Sequence, residues 1–249
     1  MKTKQILLEA CVASVADAVL AVSHGAERLE LNVGIELGGI TPSLGLLQQT
    51  KEAVDAPVMV IIRPRGGGFC YSASERRLMV HDAQALLAAG ADGVVTGGLG
   101  SQGRVDASLM EQMRDVCQEK ELVFHMAFDL LNDPEQGLEE LVSLQVSRVL
   151  TAGGRSTAIE GKGLIAKLVA QSAGRIDILP GGGVDSGNVI ELLRHTGCSQ
   201  VHGTFKMFLE DAAKFVCDGR YPALDEIEIR RVRSKLNEYV ATLDQSSGL

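Results

Sequence analysis

Glu9 with Cys11, Glu30 with Asn32, and Arg63 with Arg65 form three pairs, each two residues apart at the end of a short apolar run. In a strand, that spacing sends both members of a pair to the same face. The types are those of a reactive site. Glu9, Glu30, His125 and Asp129 can supply acid–base chemistry at tuned pKa values. Arg63 and Arg65 bring forked donors that suit an anion, and Gly66-Gly67-Gly68 follows them, where backbone N–H groups can approach a ligand. A second cluster, Gly181-Gly182-Gly183, follows Ile178-Leu179-Pro180, and His202 follows Gln200-Val201. With His202 these glycines form a second candidate anion site. Plainer readings compete. Glu9 or Glu30 could sit in a structural ion pair with Arg28, Arg63 or Arg148, since unpaired buried charge is costly. A histidine at a strand end can be a satisfied core residue, and a triple glycine can be a tight corner needing positive φ.

These residues need elements that bring them to one place. Apolar runs starting near residues 6, 28, 58, 93, 122, 148, 176 and 200 read as strands, separated by helical stretches. The run Val58-Met59-Val60-Ile61-Ile62 has no polar face and reads as a strand buried on both sides. Expected helices run from Ser14 to His24, from Pro42 at a first helical position to about Val54, and from about Ser74 to Ala89. Others follow Asp106 to about Glu119, Asp133-Pro134 to about Ser143, Ile159 to Gln171 and Ser186 to His195. A long charged tail helix is expected over about 224–241, its charges Glu226 to Arg233 reading as a solvated face, with fraying over 245–249. The joints Gly25-Ala26-Glu27-Arg28, Gly90-Ala91-Asp92-Gly93, Gln145-Val146-Ser147-Arg148 and Gly197-Cys198-Ser199-Gln200 repeat one template, a helix stop followed by a strand start.

Eight such units predict an α/β protein, a (β/α)8 TIM barrel in a single domain spanning residues 1–249, with an extra C-terminal helix. The 249 residues match the size of one such barrel, and no GxGxxG follows the first strand, which weighs against a dinucleotide-binding sheet. In a barrel the strand C-termini share one mouth, so all the residues above converge there. A net charge of −8 argues against nucleic acid and acidic membranes as partners. An anionic small molecule or a metal ion is the expected partner, and assembly with further copies stays open. Five scattered cysteines without CxxC spacing, no signal-peptide core and no long apolar run lead to the expectation of a soluble, cytoplasmic protein. Cys70, Cys117, Cys198 and Cys217 read as small hydrophobes, while for Cys11 both a structural and a chemical role stay open.

The chain resembles the copper homeostasis protein CutC family up to about residue 204. The resemblance rests on Leu8-Glu9-Ala10-Cys11-Val12-Ala13-Ser14, Gly25-Ala26-Glu27-Arg28-Leu29-Glu30-Leu31, Gly38-Gly39-Ile40-Thr41-Pro42-Ser43 and Ile62-Arg63-Pro64-Arg65-Gly66-Gly67. His125 with Ala127-Phe128-Asp129, Arg148-Val149-Leu150-Thr151 and Pro180-Gly181-Gly182-Gly183-Val184 complete it. It implies a TIM barrel, a role in copper homeostasis, and copper(I) bound by cysteines at the first two strand ends. Cys11 matches the first of these positions; Asn32 stands at the second. Met126 follows His125 where the family usually has Arg, and offers a thioether suited to copper(I). The alternative expectation is a barrel enzyme, a lyase, isomerase or hydrolase. It would act on a phosphorylated or carboxylated compound, with Arg63, Arg65 and Gly181 to Gly183 holding the anion. The third is a non-catalytic scaffold.

Overall fold

Short apolar runs bounded by glycine and amphipathic stretches become eight strand–helix units in the computed structural model, which describes residues 5–213 and 219–246. Cys217 and the last three residues of the tail lie outside them. The strands are β1 (Leu7–Val12), β2 (Arg28–Leu31), β3 (Val58–Ile61), β4 (Gly93–Thr96), β5 (Glu121–Phe124), β6 (Arg148–Thr151), β7 (Asp177–Pro180) and β8 (Gln200–Gly203). All neighbours are parallel, in the order β7-β6-β5-β4-β3-β2-β1-β8, so the sheet curls until β7 and β8 stand side by side. This is a TIM barrel, with the seam between β7 and β8 free of ladder pairing among the described residues.

The helices are α1 (Val15–Ser23), α2 (Leu44–Ala53), α3 (Ala73–Ala88), α4 (Ala107–Cys117), α5 (Pro134–Ser143), α6 (Lys162–Ser172) and α7 (Val189–Thr196). Some starts differ from expectation, that of α2 because a serine claims the cap. Ser43 caps α2 by accepting from Leu46 N, which leaves Pro42 outside the helix. Ser72 and Glu75 close a capping box on α3. Asn188 stands at the cap position of α7, and Ser186 instead donates its backbone N–H to Glu228. Three of the repeated joints turn on glycine, with φ of 94° at Gly25, 103° at Gly90 and 71° at Gly197. In the fourth, Gln145 takes φ 55° and makes the same turn without a glycine.

Two elements follow β8. An antiparallel hairpin, β9 (Lys206–Glu210) with β10 (Arg220–Leu224), was not expected: β9 is exposed throughout and carries no burial pattern to reveal it. The tail helix α8 (Glu226–Ser246) starts after β10. It is not a merely solvated face. Ile229, Val232 and Leu236 are buried, and Arg233 pairs with Glu27 at 2.7 Å while reaching the Ile6 carbonyl. Among the described residues no helix is long and apolar enough to cross a membrane.

The period of two divides the strands. Leu8, Ala10, Leu29, Leu31, Val58, Val60 and Val94 face the helices and join the main core. Burial of each such Leu or Val contributes about 1.5–3 kcal/mol relative to exposure. The inward face is uneven. Met59, Ile61, Val95 and Val123 form a separate apolar cluster inside the barrel, on β3 to β5. Opposite them, β8, β1 and β2 turn charged and polar side chains inward.

Candidate functional site

The inward polar side is built by register. His202 on β8 is paired with Glu9 on β1, Glu9 with Arg28 on β2, and one step nearer the mouth Cys11 is paired with Glu30. Directly opposed residues on neighbouring strands are in side-chain reach. Glu9 therefore meets His202 Nδ1 at 2.8 Å through Oε1 and accepts from Arg28 Nε through Oε2. Arg28 also donates to Gln200 Oε1 at 2.7 Å. Asn32 Nδ2 donates to Cys11 Sγ at 2.9 Å. The Glu9 ion pair thus goes to Arg28, not to Arg63.

One ligand atom each from Cys11, Glu30 and His202 lies within 4.8 Å of the others, and all three residues are buried. With Nδ1 committed to Glu9, Nε2 is the ring nitrogen His202 offers to this group. Burial opposes ionisation of Glu9, but the hydrogen bond from His202 and the charges of Arg28, His202 and Arg148 win and hold its pKa at about 2. Burial alone would lower the pKa of His202; the charges of Glu30 and Glu9 and hydrogen bonds to Cys11 and Glu9 raise it well above the usual histidine value. Burial, then Glu9, pushes Glu30 up against the charge of His202. Burial likewise raises the Cys11 thiol, helped by the charge of Glu30. The group is an orienting carboxylate, a charged imidazole, a thiol and a second carboxylate.

Cys11, Glu30, Asn32 and His202 form one side of a cavity of about 200 Å³ at the barrel mouth. Ile35, Gly38, Gly39, Ile61, Phe69 and Leu150 give it apolar walls, and His125, Met126, Thr204 and Lys206 complete it. His125 caps the short 3-10 turn Met126–Leu130 by accepting the Ala127 N–H at Nδ1, at 3.2 Å. Its hydrogen therefore sits on Nε2, which is buried with no partner among the described residues. Burial, with the positive charge of Arg63 behind it, lowers the His125 pKa to about 3 and keeps the ring neutral. Phe69 packs against His125 with the rings tilted at 53° and centroids 4.8 Å apart, and lies under the Arg63 guanidinium at 4.9 Å.

The other sequence candidates are placed elsewhere. Arg63 is buried, and its guanidinium donates to the carbonyls of Leu37, Gly39 and Gly67, so it ties two loops together. Arg65 stands outside the cavity, bonded to Glu75 and to the carbonyls of its own loop. Asp129 accepts from Thr151 Oγ1 and from the backbone N–H groups of Ala152 and Gly154, which leaves it bracing the loop after β6. Gly181 to Gly183 form a close corner: a β-carbon on Gly181 would lie 2.5 Å from Leu150 Cδ1, and one on Gly182 would lie 3.3 Å from Met126 Cε. Gly181 donates its N–H to Thr151, and the carbonyls of Gly182 and Gly183 accept from Ala158 N and Asn188 Nδ2. Cys70 is exposed rather than a small buried hydrophobe; Cys117 and Cys198 are buried. Of the arginines that the sequence offered as ion-pair partners for Glu9, Arg28 is the one that meets it; the residues missed from sequence are Gln200, which holds Arg28, and Phe69 and Lys206 as cavity walls.

A family model described as the CutC family matches residues 6–207. A CutC family protein of Treponema denticola is 42% identical over 232 residues, covering 91% of this chain and 94% of the relative. The copper homeostasis protein cutC homolog of Homo sapiens is 42% identical over 209 residues, 84% of this chain and 77% of the relative. A crystal structure described as the copper homeostasis protein CutC from Streptococcus agalactiae superposes with a TM-score of 0.75 at 34% identity, covering 80% of this chain and 99% of that one. Phosphoribosyl anthranilate isomerase from Thermotoga maritima superposes at 0.60 over 94% of this chain and 100% of its own, and at 12% identity that likeness concerns the fold alone.

Proposed function

The chain belongs to the CutC family, and from that membership we propose that it serves copper homeostasis by holding a copper ion as cargo at Cys11, His202 and Glu30. The observation that carries the reading is the approach of three donor atoms of these buried residues within 4.8 Å at the floor of the barrel mouth. The donor set fits. Copper(I) favours thiolate and accepts imidazole, and a carboxylate completes the set for the harder divalent ion. Asn32, where the family often has a second cysteine, supports Cys11 through its amide and does not add a thiolate. Met126 lines the same cavity from the β5 side.

This chain's residues prepare the site in three ways. Glu9 fixes the His202 ring through Nδ1, as a carboxylate behind a metal-binding histidine does. Arg28 keeps Glu9 ionised and in place. The buried thiol of Cys11 and the charged ring of His202 each hold a proton that a cation would displace, so binding is coupled to proton release. Such thiol chemistry needs a reducing compartment, and the reading places the protein in the cytoplasm; Cys11, Cys70, Cys117 and Cys198 are all free.

The test is a copper(I) titration against a chromogenic chelator under reducing conditions, in a background with Cys70 and Cys217 changed to Ser. The expected result is one ion per chain, lost in Cys11→Ser and His202→Gln. Copper binding untouched by both changes, or absent from the parent, sinks the reading.

A further inference from the structure

Glu30 Oε2, Asn32 Oδ1 and His125 Nε2 are buried without hydrogen-bond partners among the described residues, and all three residues line the one cavity. Buried polar atoms are rarely left unpaired, so three around one space point to a molecule that pairs them. Their chemistry says what it must offer. His125 spends Nδ1 on Ala127 N–H and presents Nε2–H as a donor. Asn32 spends its amide nitrogen on Cys11 and presents a carbonyl as an acceptor. Glu30 Oε2 is a second acceptor on the same side. Between the two sides stand apolar walls, Ile35, Ile61, Phe69 and Leu150.

The cavity is also polarised. Behind His125 the buried guanidinium of Arg63 makes its bonds to carbonyls and has no carboxylate ion pair among the described residues. Lys206 adds a positive charge at the rim. The Asn32 side carries Glu30, with Glu9 beneath it. An electron-rich group is favoured toward His125, and a donor toward Asn32 and Glu30. The volume of about 200 Å³ is below the roughly 300–1,000 Å³ of pockets for drug-sized ligands and exceeds what a lone ion fills.

We propose that this cavity binds a small carboxylic acid bearing an amine or hydroxyl group, with its carboxylate on His125 Nε2–H and its amine or hydroxyl on Asn32 Oδ1 and Glu30 Oε2. The inference goes beyond the copper reading. It needs no ion, and its contacts at His125, Asn32 and the apolar walls are not copper donors.

The experiment is calorimetric titration of chelator-treated, copper-free protein with L-serine, L-threonine, L-lactate and glycerate, with propionate as the acid that lacks the donor. The expected result is saturable one-to-one binding of at least one of the four, at least tenfold tighter than propionate. His125→Phe and Asn32→Leu each weaken it at least tenfold, while His125→Phe keeps its copper(I) affinity. The proposal is overturned if none of the four binds at least tenfold more tightly than propionate, a comparison that needs no variant, or if binding survives both substitutions. Copper binding that fails while acid binding persists counts against the copper reading alone.

Discussion

Glu9 Oε1 stands 2.8 Å from Nδ1 of His202, across the join that brings the last barrel strand beside the first. The two are 193 positions apart in the chain. Arg28 occupies the other carboxylate oxygen, so Glu9 is engaged on both sides and acts on any ligand only through His202. The geometry makes Glu9 a positioning residue.

Removing that carboxylate leaves Arg28 buried without its counter-charge. Glu9→Ala is expected to cost about 3–5 kcal/mol, the usual penalty for breaking a buried pair by deleting one partner. Urea unfolding measures it, and a loss below about 1 kcal/mol contradicts the assignment. Glu9→Gln keeps the shape and removes the charge, and is expected to weaken copper binding about 10–100-fold.

Acid stability carries the signature of His125. Its native pKa is lowered from 6.5 to about 3, so below pH 6.5 the unfolded chain takes a proton that the native ring refuses. Its contribution is full above pH 6.5 and is lost as pH falls toward 3, with a slope of up to about 1.4 kcal/mol per pH unit. Glu9 adds a loss of the same sign between 4.5 and about 2. His202, raised instead, contributes stability below the usual histidine range that is lost as pH rises through its native value. Urea midpoints at about pH 7, 5.5 and 4.5, on either side of the free histidine pKa, are expected to fall less steeply in His125→Phe than in the parent. Parallel curves rule the account out.

Arg63 and Arg65 are expected to separate. Arg63→Ala removes the donor shared by the carbonyls of Leu37, Gly39 and Gly67, and loosens the loops that wall the cavity. Hydrogen exchange at residues 34–40 and 66–69 is expected to rise at least tenfold. Arg65→Ala changes an exposed loop contact and is expected to leave that exchange unchanged. Equal effects of the two substitutions contradict the placement.

Asp129 braces a loop through three hydrogen bonds to Thr151, Ala152 and Gly154. Asp129→Ala is expected to destabilise the fold by about 1–3 kcal/mol, in the range for orphaned polar groups. Its copper stoichiometry is expected to stay at that of the parent. A folded, equally stable variant that loses copper would move Asp129 into the site.

Much of the barrel was legible. The eight strand starts follow from apolar runs, and the glycine joints from where chains must turn with positive φ. The period of two placed Glu9 with Cys11 and Glu30 with Asn32 correctly on shared inward faces. Arg28 was among the partners the sequence offered for Glu9, but His202 was not, because it depends on closure: His202 reaches Glu9 only once β8 lies beside β1. For the same reason Arg63 read as a ligand-binding arginine: two of the three carbonyls that hold it, those of Leu37 and Gly39, come from the loop after β2. The β9–β10 hairpin escaped because exposed strands carry no alternation of burial.

X-ray absorption at the copper edge, on protein loaded with one equivalent of copper(I) in the background lacking Cys70 and Cys217, tests the central claim most directly. The account predicts one sulfur with at least one imidazole nitrogen around the ion, the sulfur vanishing in Cys11→Ser and the imidazole in His202→Gln. Two or more sulfurs, or a spectrum unchanged by either substitution, would contradict it.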